Sequence, residues 1–193
     1  MTETKTDELV GRGNKEGADL FREWFDSLAD AAKNGRGAAY VFVMGSMAEL
    51  LHVFDFPLVL PEITSLQTAV RRVADTYLAE AEDYGYSPDI CGYVKADMAV
   101  QLRGGQHPMG QIPKPSVAVM SNACNTYIKW AEIWERMYGI PLFVLDVPAT
   151  RQAGGQFQPG SSDFERDRKY VEAQVRELIT LCEQVSGKKF DID

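Results

Sequence analysis

Val117-Ala118-Val119-Met120-Ser121-Asn122-Ala123-Cys124 opens the stretch that decides the fold, and Asn125 to Tyr138, Gly139 and Leu142-Phe143-Val144-Leu145 complete it. A short apolar run, a helical pattern stopped by glycine and a second apolar run make a βαβ unit. Neither run alternates with polar residues, so both strands read as buried on two faces, as in a parallel sheet. The helical pattern places Tyr127, Trp130, Trp134 and Met137 on one face, three or four residues apart. Cys124 falls where the first strand gives way to this helix, the end of an open α/β sheet at which ligands bind. Unpaired N–H groups and the positive end of the helix dipole favour a thiolate there. A free cysteine is also a common small buried hydrophobe, and position alone leaves both readings open.

Cys91 repeats the arrangement. Ser87-Pro88-Asp89 reads as an N-cap, a proline at the first helical position and an acid in the first turn. The helix then runs through Tyr93, Val94, Met98 and Leu102, with Cys91 in its first turn. Two thiols, each at a helix N-terminus, can converge on one anionic centre. The third cysteine, Cys182, fills a slot in the apolar stripe Val171, Val175, Leu178, Cys182, Val185 of the last helix and reads as core.

The composition bounds the rest. A chain of 193 residues with 45% hydrophobic residues is large enough for one domain with a full core. Its formal net charge of −8 argues against a nucleic-acid surface. No apolar run reaches membrane-span length, and the polar Met1–Asn14 segment is not a signal peptide, so a cytoplasmic location is expected. Three widely spaced cysteines do not make a disulfide framework.

Around the central unit the expected order is a flexible arm over 1–17, then one α/β domain over 18–193. A helix over 18–32 carries Leu20, Phe21, Trp24, Phe25 and Leu28. Strands are expected near 39–43 and 57–60, with Met44-Gly45-Ser46 turning into a short helix over 47–54 and Pro61 closing the second strand. Thr64 or Ser65 caps one long helix with the stripe Leu66, Val70, Val73, Tyr77 and Ala81. The segment 103–115, rich in Gly, Pro and Gln, reads as a mobile loop, and 148–161 as a second long loop. The last helix begins near Ser162 and stops at Gly187. The fold class is therefore α/β, a parallel sheet flanked by helices in a flavodoxin- or Rossmann-like three-layer domain. His52 and His107 are weak site candidates, and no P-loop or G-x-G-x-x-G motif is present.

Four segments carry a family likeness: Met44-Gly45-Ser46-Met47-Ala48-Glu49-Leu50-Leu51 with Leu60-Pro61-Glu62; Cys91-Gly92-Tyr93-Val94-Lys95-Ala96-Asp97; Ser121-Asn122-Ala123-Cys124 with Lys129-Trp130; and Glu183-Gln184-Val185-Ser186-Gly187 with Lys189-Phe190-Asp191-Ile192-Asp193. The sequence resembles the benzoyl-CoA reductase and 2-hydroxyacyl-CoA dehydratase family, most of all the N-terminal half of a beta-type reductase subunit.

The resemblance implies a [4Fe–4S] cluster held by three cysteines. Cys91 and Cys124 match two ligand positions, and the third lies in a second α/β domain that this chain lacks. It also implies a dearomatising oxidoreductase acting on an aromatic acyl-CoA, with other reductase subunits, an ATP-hydrolysing electron activator that carries the ATP and Mg, and ferredoxin as electron source. The alternatives are a 2-hydroxyacyl-CoA dehydratase subunit, whose cluster is Lewis acid and electron donor, and a metal-free interaction module. Lys95, Ser121 and Asn122 are candidates for gripping substrate or tuning the cluster. Against that stand a solvated face or ion pair for Lys95, and helix capping for Asn122. Asp97 shares the two readings of Lys95.

Overall fold

A computed structural model describes residues 3–43, 47–148 and 159–191, with backbone alone over 3–10. In chain order the elements are α1 (Glu3–Lys33), β1 (Ala38–Val41), α2 (Ala48–Val53), β2 (Leu58–Val59), α3 (Pro61–Val70), α4 (Ala74–Tyr84), α5 (Gly92–Leu102), β3 (Gln106–His107), β4 (Gly110–Gln111), β5 (Pro115–Ser121), α6 (Asn125–Tyr138), β6 (Leu142–Leu145) and α7 (Ser162–Ser186). Four strands form one sheet in the order β2-β1-β5-β6, and every pairing in it is parallel. The βαβ unit expected from 117–145 is present, with Val119 beside Phe143 and Ser121 beside Leu145.

The strand period of two divides the core. Ala38, Tyr40, Phe42, Ala118 and Met120 face one layer, with Phe25 of α1, Met98 of α5 and Trp134 of α6. Ala39, Val41, Val117 and Val119 face the other, with Leu51 of α2 and Leu178 and Cys182 of α7. Burial on both faces is why these strands are apolar without alternation. The chain leaves β1 towards β2 on one side and returns to β5 on the other, so the strand order reverses between β1 and β5. The carboxyl ends of those two strands form the switch-point crevice of an open α/β sheet.

Several expectations are corrected. From Glu3 on, the 1–17 segment is the first half of α1. The side chains over 11–18 are exposed, so that stretch is helical without joining the core. Arg12 and Glu16 pair across one turn at 3.4 Å. Strand β2 ends at Val59, before Pro61 as expected, and Pro61 itself occupies the first helical position of α3. The single long helix is two, broken where Arg72 takes a left-handed φ of 60°. Leu66 and Val70 of the expected stripe are therefore exposed, and α3 buries Thr64, Ser65 and Thr68 instead. Their hydroxyls donate to the carbonyls of Pro61, Tyr93 and Ser65 respectively, which is how a polar face enters a core.

The expected mobile loop over 103–115 contains the antiparallel β3–β4 hairpin. Gly105 has a φ of 90°, and a Cβ there would run into the Ile112 carbonyl. His107 anchors the hairpin. It is buried, lies flat against Phe25 at 5.6 Å, donates from Nε2 to the Thr64 carbonyl and accepts the Met109 N–H at Nδ1. Burial pushes its pKa below the ordinary value. In α6, Met137 is 39% exposed, and Tyr138 takes the inward place. The expected turn at Met44-Gly45-Ser46 and residues 149–158 of the second loop lie outside the described residues. Among the described residues no helix is long and apolar enough to cross a membrane.

Candidate metal centre

Cys124 is the N-cap of α6, directly after β5, and Cys91 is the N-cap of α5. The helix expected from Ser87 starts later, because the Ser87 hydroxyl accepts from Asp89 N–H and closes a separate turn, leaving Gly92 as the first helical residue. Neither cysteine side chain makes a capping hydrogen bond. Cys91 is exposed, Cys124 half-buried and Cys182 fully buried, and all three are free thiols.

The relation between the two helices follows from the side chains that join them. Asp97, six residues after Cys91, accepts at Oδ2 from Nε1 of Trp130 at 2.7 Å and of Trp134 at 2.8 Å. Trp130 stands six residues after Cys124. One turn further along α5, Oε1 of Gln101 accepts the Tyr138 hydroxyl at 2.7 Å. Later residues of one helix meet later residues of the other, so α5 and α6 run in the same direction and begin at the same end. Because α6 starts from the carboxyl end of β5, that end is the carboxyl edge of the sheet.

Asp97, for which cluster tuning or substrate binding stood beside a solvated face or an ion pair, is neither exposed nor ion-paired. It is 1% exposed, with Gln101 Nε2 donating to Oδ1 at 2.9 Å beside the two indoles on Oδ2. The network continues through Gln101 Nε2 to the Tyr40 hydroxyl, which donates to the Pro113 carbonyl. Two signals pointed to it. Val94, Ala96, Met98, Ala99 and Val100 leave α5 no polar face, and two buried indoles one turn apart require an acceptor. Burial raises the Asp97 pKa from 3.8 to about 6, while the two indoles and the amide pull it down. The same burial, with the Asp97 charge, lifts Tyr138 to about 12 and Tyr40 well above its ordinary value.

A shift of this size disfavours the ionised fold by on the order of 3 kcal/mol. Its sign is that of an acid holding its proton more tightly when folded. The stabilisation is complete below about pH 4, where both states are protonated, and disappears as pH rises through about 6. Indole fluorescence should therefore show a transition near pH 6 that Asp97→Asn removes. A wild-type transition that persists unchanged in Asp97→Asn would assign it elsewhere.

Lys95 is also buried. Its ammonium lies 2.6 Å from Glu82 Oε1 and 2.8 Å from the Pro88 carbonyl, tying the turn before Cys91 to α4. Ser121 is buried at the end of β5. Asn122 does not cap α6. It clasps β6, donating to Asp146 Oδ1 and the Val147 carbonyl and accepting the Val147 N–H. Glu62 spans the switch point. Its carboxylate accepts the Val43 N–H and the Tyr127 hydroxyl, each at 2.8 Å. Val43 leaves β1, and Tyr127 is in the first turn of α6. Among the described residues no three His, Cys, Asp or Glu side chains are placed to hold a metal ion together. The two cysteines are thus a partial donor set.

Comparison with known proteins adds the following. Residues 14–193 match the family model for 2-hydroxyglutaryl-CoA dehydratase, D-component. The chain is 34% identical over 171 residues to a subunit of the benzoyl-CoA reductase of Thauera aromatica, covering 88% of this chain and 38% of that protein. It is 28% identical over 174 residues to the (R)-2-hydroxyisocaproyl-CoA dehydratase alpha subunit of Clostridioides difficile, covering 90% and 40%. Against the (R)-phenyllactyl-CoA dehydratase alpha subunit of Clostridium sporogenes it is 32% identical over 146 residues, covering 74% and 33%. The chain spans two fifths or less of the length of these relatives.

Proposed function

The chain belongs to the 2-hydroxyglutaryl-CoA dehydratase D-component family, and from that membership we propose that it is one cysteine-bearing half of an iron–sulfur subunit delivering single electrons to an aromatic acyl-CoA. The observation that carries the reading is the pair of parallel helices, each begun by a cysteine, at the carboxyl edge of the sheet. The donor set fits a soft metal centre in part: two thiols without capping duties, one exposed and one half-buried. Cys91 and Cys124 would supply two thiolates and a residue outside this chain the third.

A [4Fe–4S] cluster so held supplies one-electron transfer at a potential set by charge, hydrogen bonding and exposure. This chain's own residues fix the frame. Lys95 holds the turn that presents Cys91, and Asn122 holds the strand end that presents Cys124. Glu62 ties the exit of β1 to the first turn of α6. In the proposed assembly ATP is hydrolysed on a partner subunit and ferredoxin provides the electrons.

The dehydratase alpha subunits among the relatives support a second reading, in which the same centre serves removal of water from a 2-hydroxyacyl-CoA. Anoxic assay of the full-length subunit complex, with reductant and ATP, separates the two. Benzoyl-CoA should lose its aromatic absorbance and yield a cyclohexadiene thioester. Turnover of 2-hydroxyacyl-CoA thioesters with benzoyl-CoA untouched would replace the first reading by the second. Inactivity toward both, with no iron bound, would leave an interaction module.

A further inference from the structure

A buried carboxylate without a cationic partner needs a reason to be kept, since apolar replacements of buried charges are often no less stable. Asp97 has such a place. The groups facing it are Trp130, Trp134 and Tyr138 of α6, Tyr40 of β1, and Gln101 of its own helix; Tyr86, before α5, also feels its charge. No Lys or Arg is among them. What the carboxylate provides is geometry. Two indoles spaced one turn apart on α6 converge on one oxygen of Asp97, while Gln101, one turn along α5, orients the carboxylate and accepts the Tyr138 hydroxyl of α6, so sliding or rolling of α5 against α6 loses a hydrogen bond. The two indole bonds reach α6 six and ten residues from Cys124, and Asp97 itself stands six from Cys91.

We propose that Asp97 is a positioning residue that fixes the register of α5 against α6 and thereby the separation of Cys91 from Cys124. This rests on the proposed function for its purpose, the presentation of two thiolates to one centre, but not for its geometry. A charged acceptor suits the role because its bonds are short and directional, stronger than those between neutral groups. An apolar side chain would fill the space and leave the two N–H groups buried without partners.

The test needs no iron. Nitroxide labels are placed on Cys91 and Cys124 of the native chain. Cys182 is buried, its thiol raised to about 11, and stays unlabelled. Dipolar electron spin resonance then reads the distance between the labels. Wild-type protein should give one narrow distribution. Asp97→Ala should lose that narrow component, and Asp97→Asn, which keeps an oxygen for the indoles, should restore most of it. Leu178→Ala, in the opposite layer, lowers stability without touching the bridge and should leave the distribution narrow. An unchanged narrow distribution in Asp97→Ala would overturn the proposal. Equal broadening in Asp97→Ala and Leu178→Ala would overturn it too, by showing general loosening. Iron analysis of the full-length subunit is a separate readout, so a failed cluster reading would not be confused with a failed register.

Discussion

Turnover of aromatic acyl-CoA by the full-length subunit complex is expected to fall to the background rate when either Cys91 or Cys124 is replaced by alanine. Each begins a helix at the same edge of the sheet, and neither is spent on capping its helix. On the proposed reading, an alanine at either position removes one of the two thiolates that this chain would supply. Cys182→Ala should retain most activity. Its sulfur is packed with Leu178 against Val117 and Val119, on the far side of the sheet. The variants are to be compared by single-turnover reduction, with circular dichroism confirming the fold. Normal turnover in Cys91→Ala or Cys124→Ala would remove the pair from the site.

Unfolding free energy should drop by about 3–5 kcal/mol in Trp134→Ala, the range for removing a buried aromatic side chain. The side chain is fully buried, meets Tyr40 edge-on at 5.0 Å and stacks on Phe42 at 5.5 Å. Its loss also strips Asp97 of one of three donors. Since small domains are stable by only roughly 5–15 kcal/mol, this is a large share. Trp134→Phe keeps most of the volume and should cost about 1–3 kcal/mol, the penalty for leaving a buried acceptor short of a donor. Urea unfolding followed by far-ultraviolet circular dichroism measures both. A loss below about 1 kcal/mol in Trp134→Ala, well under the range for a buried aromatic, would mean that α6 is not fastened where the structure puts it.

The parts of the fold that could be read from sequence are those in which one pattern had one meaning. The apolar runs over 117–120 and 142–145 read as strands once a helical pattern lay between them; the first is buried as expected, but the second is the edge strand β6, where Val144 is 36% exposed. Cys182 could be placed because its stripe had the period of a helix. Where two patterns overlapped, reading failed. Pro61 both follows the end of a strand and starts a helix, and the sequence reading caught only the first role. Arg72 breaks the α3–α4 run with a left-handed backbone that no residue type announces. The β3–β4 hairpin pairs two residues a side, too short for any periodicity.

The site divides the same way. Cys91 and Cys124 stand out locally, as thiols at helix starts. Their shared edge does not, because it depends on Asp97 meeting Trp130 and Trp134 across separations of 33 and 37 residues. Lys95 and Asn122 likewise find their partners, Glu82 and Val147, only in the folded chain.

The most direct test of the central claim is iron and acid-labile sulfide per full-length subunit, reconstituted without oxygen. Wild-type and Cys182→Ala protein should each hold about four irons, as one [4Fe–4S] cluster requires. Cys91→Ala and Cys124→Ala should hold almost none. A full complement of iron retained in either of the latter two would contradict the assignment of the parallel, cysteine-capped helices as the metal centre.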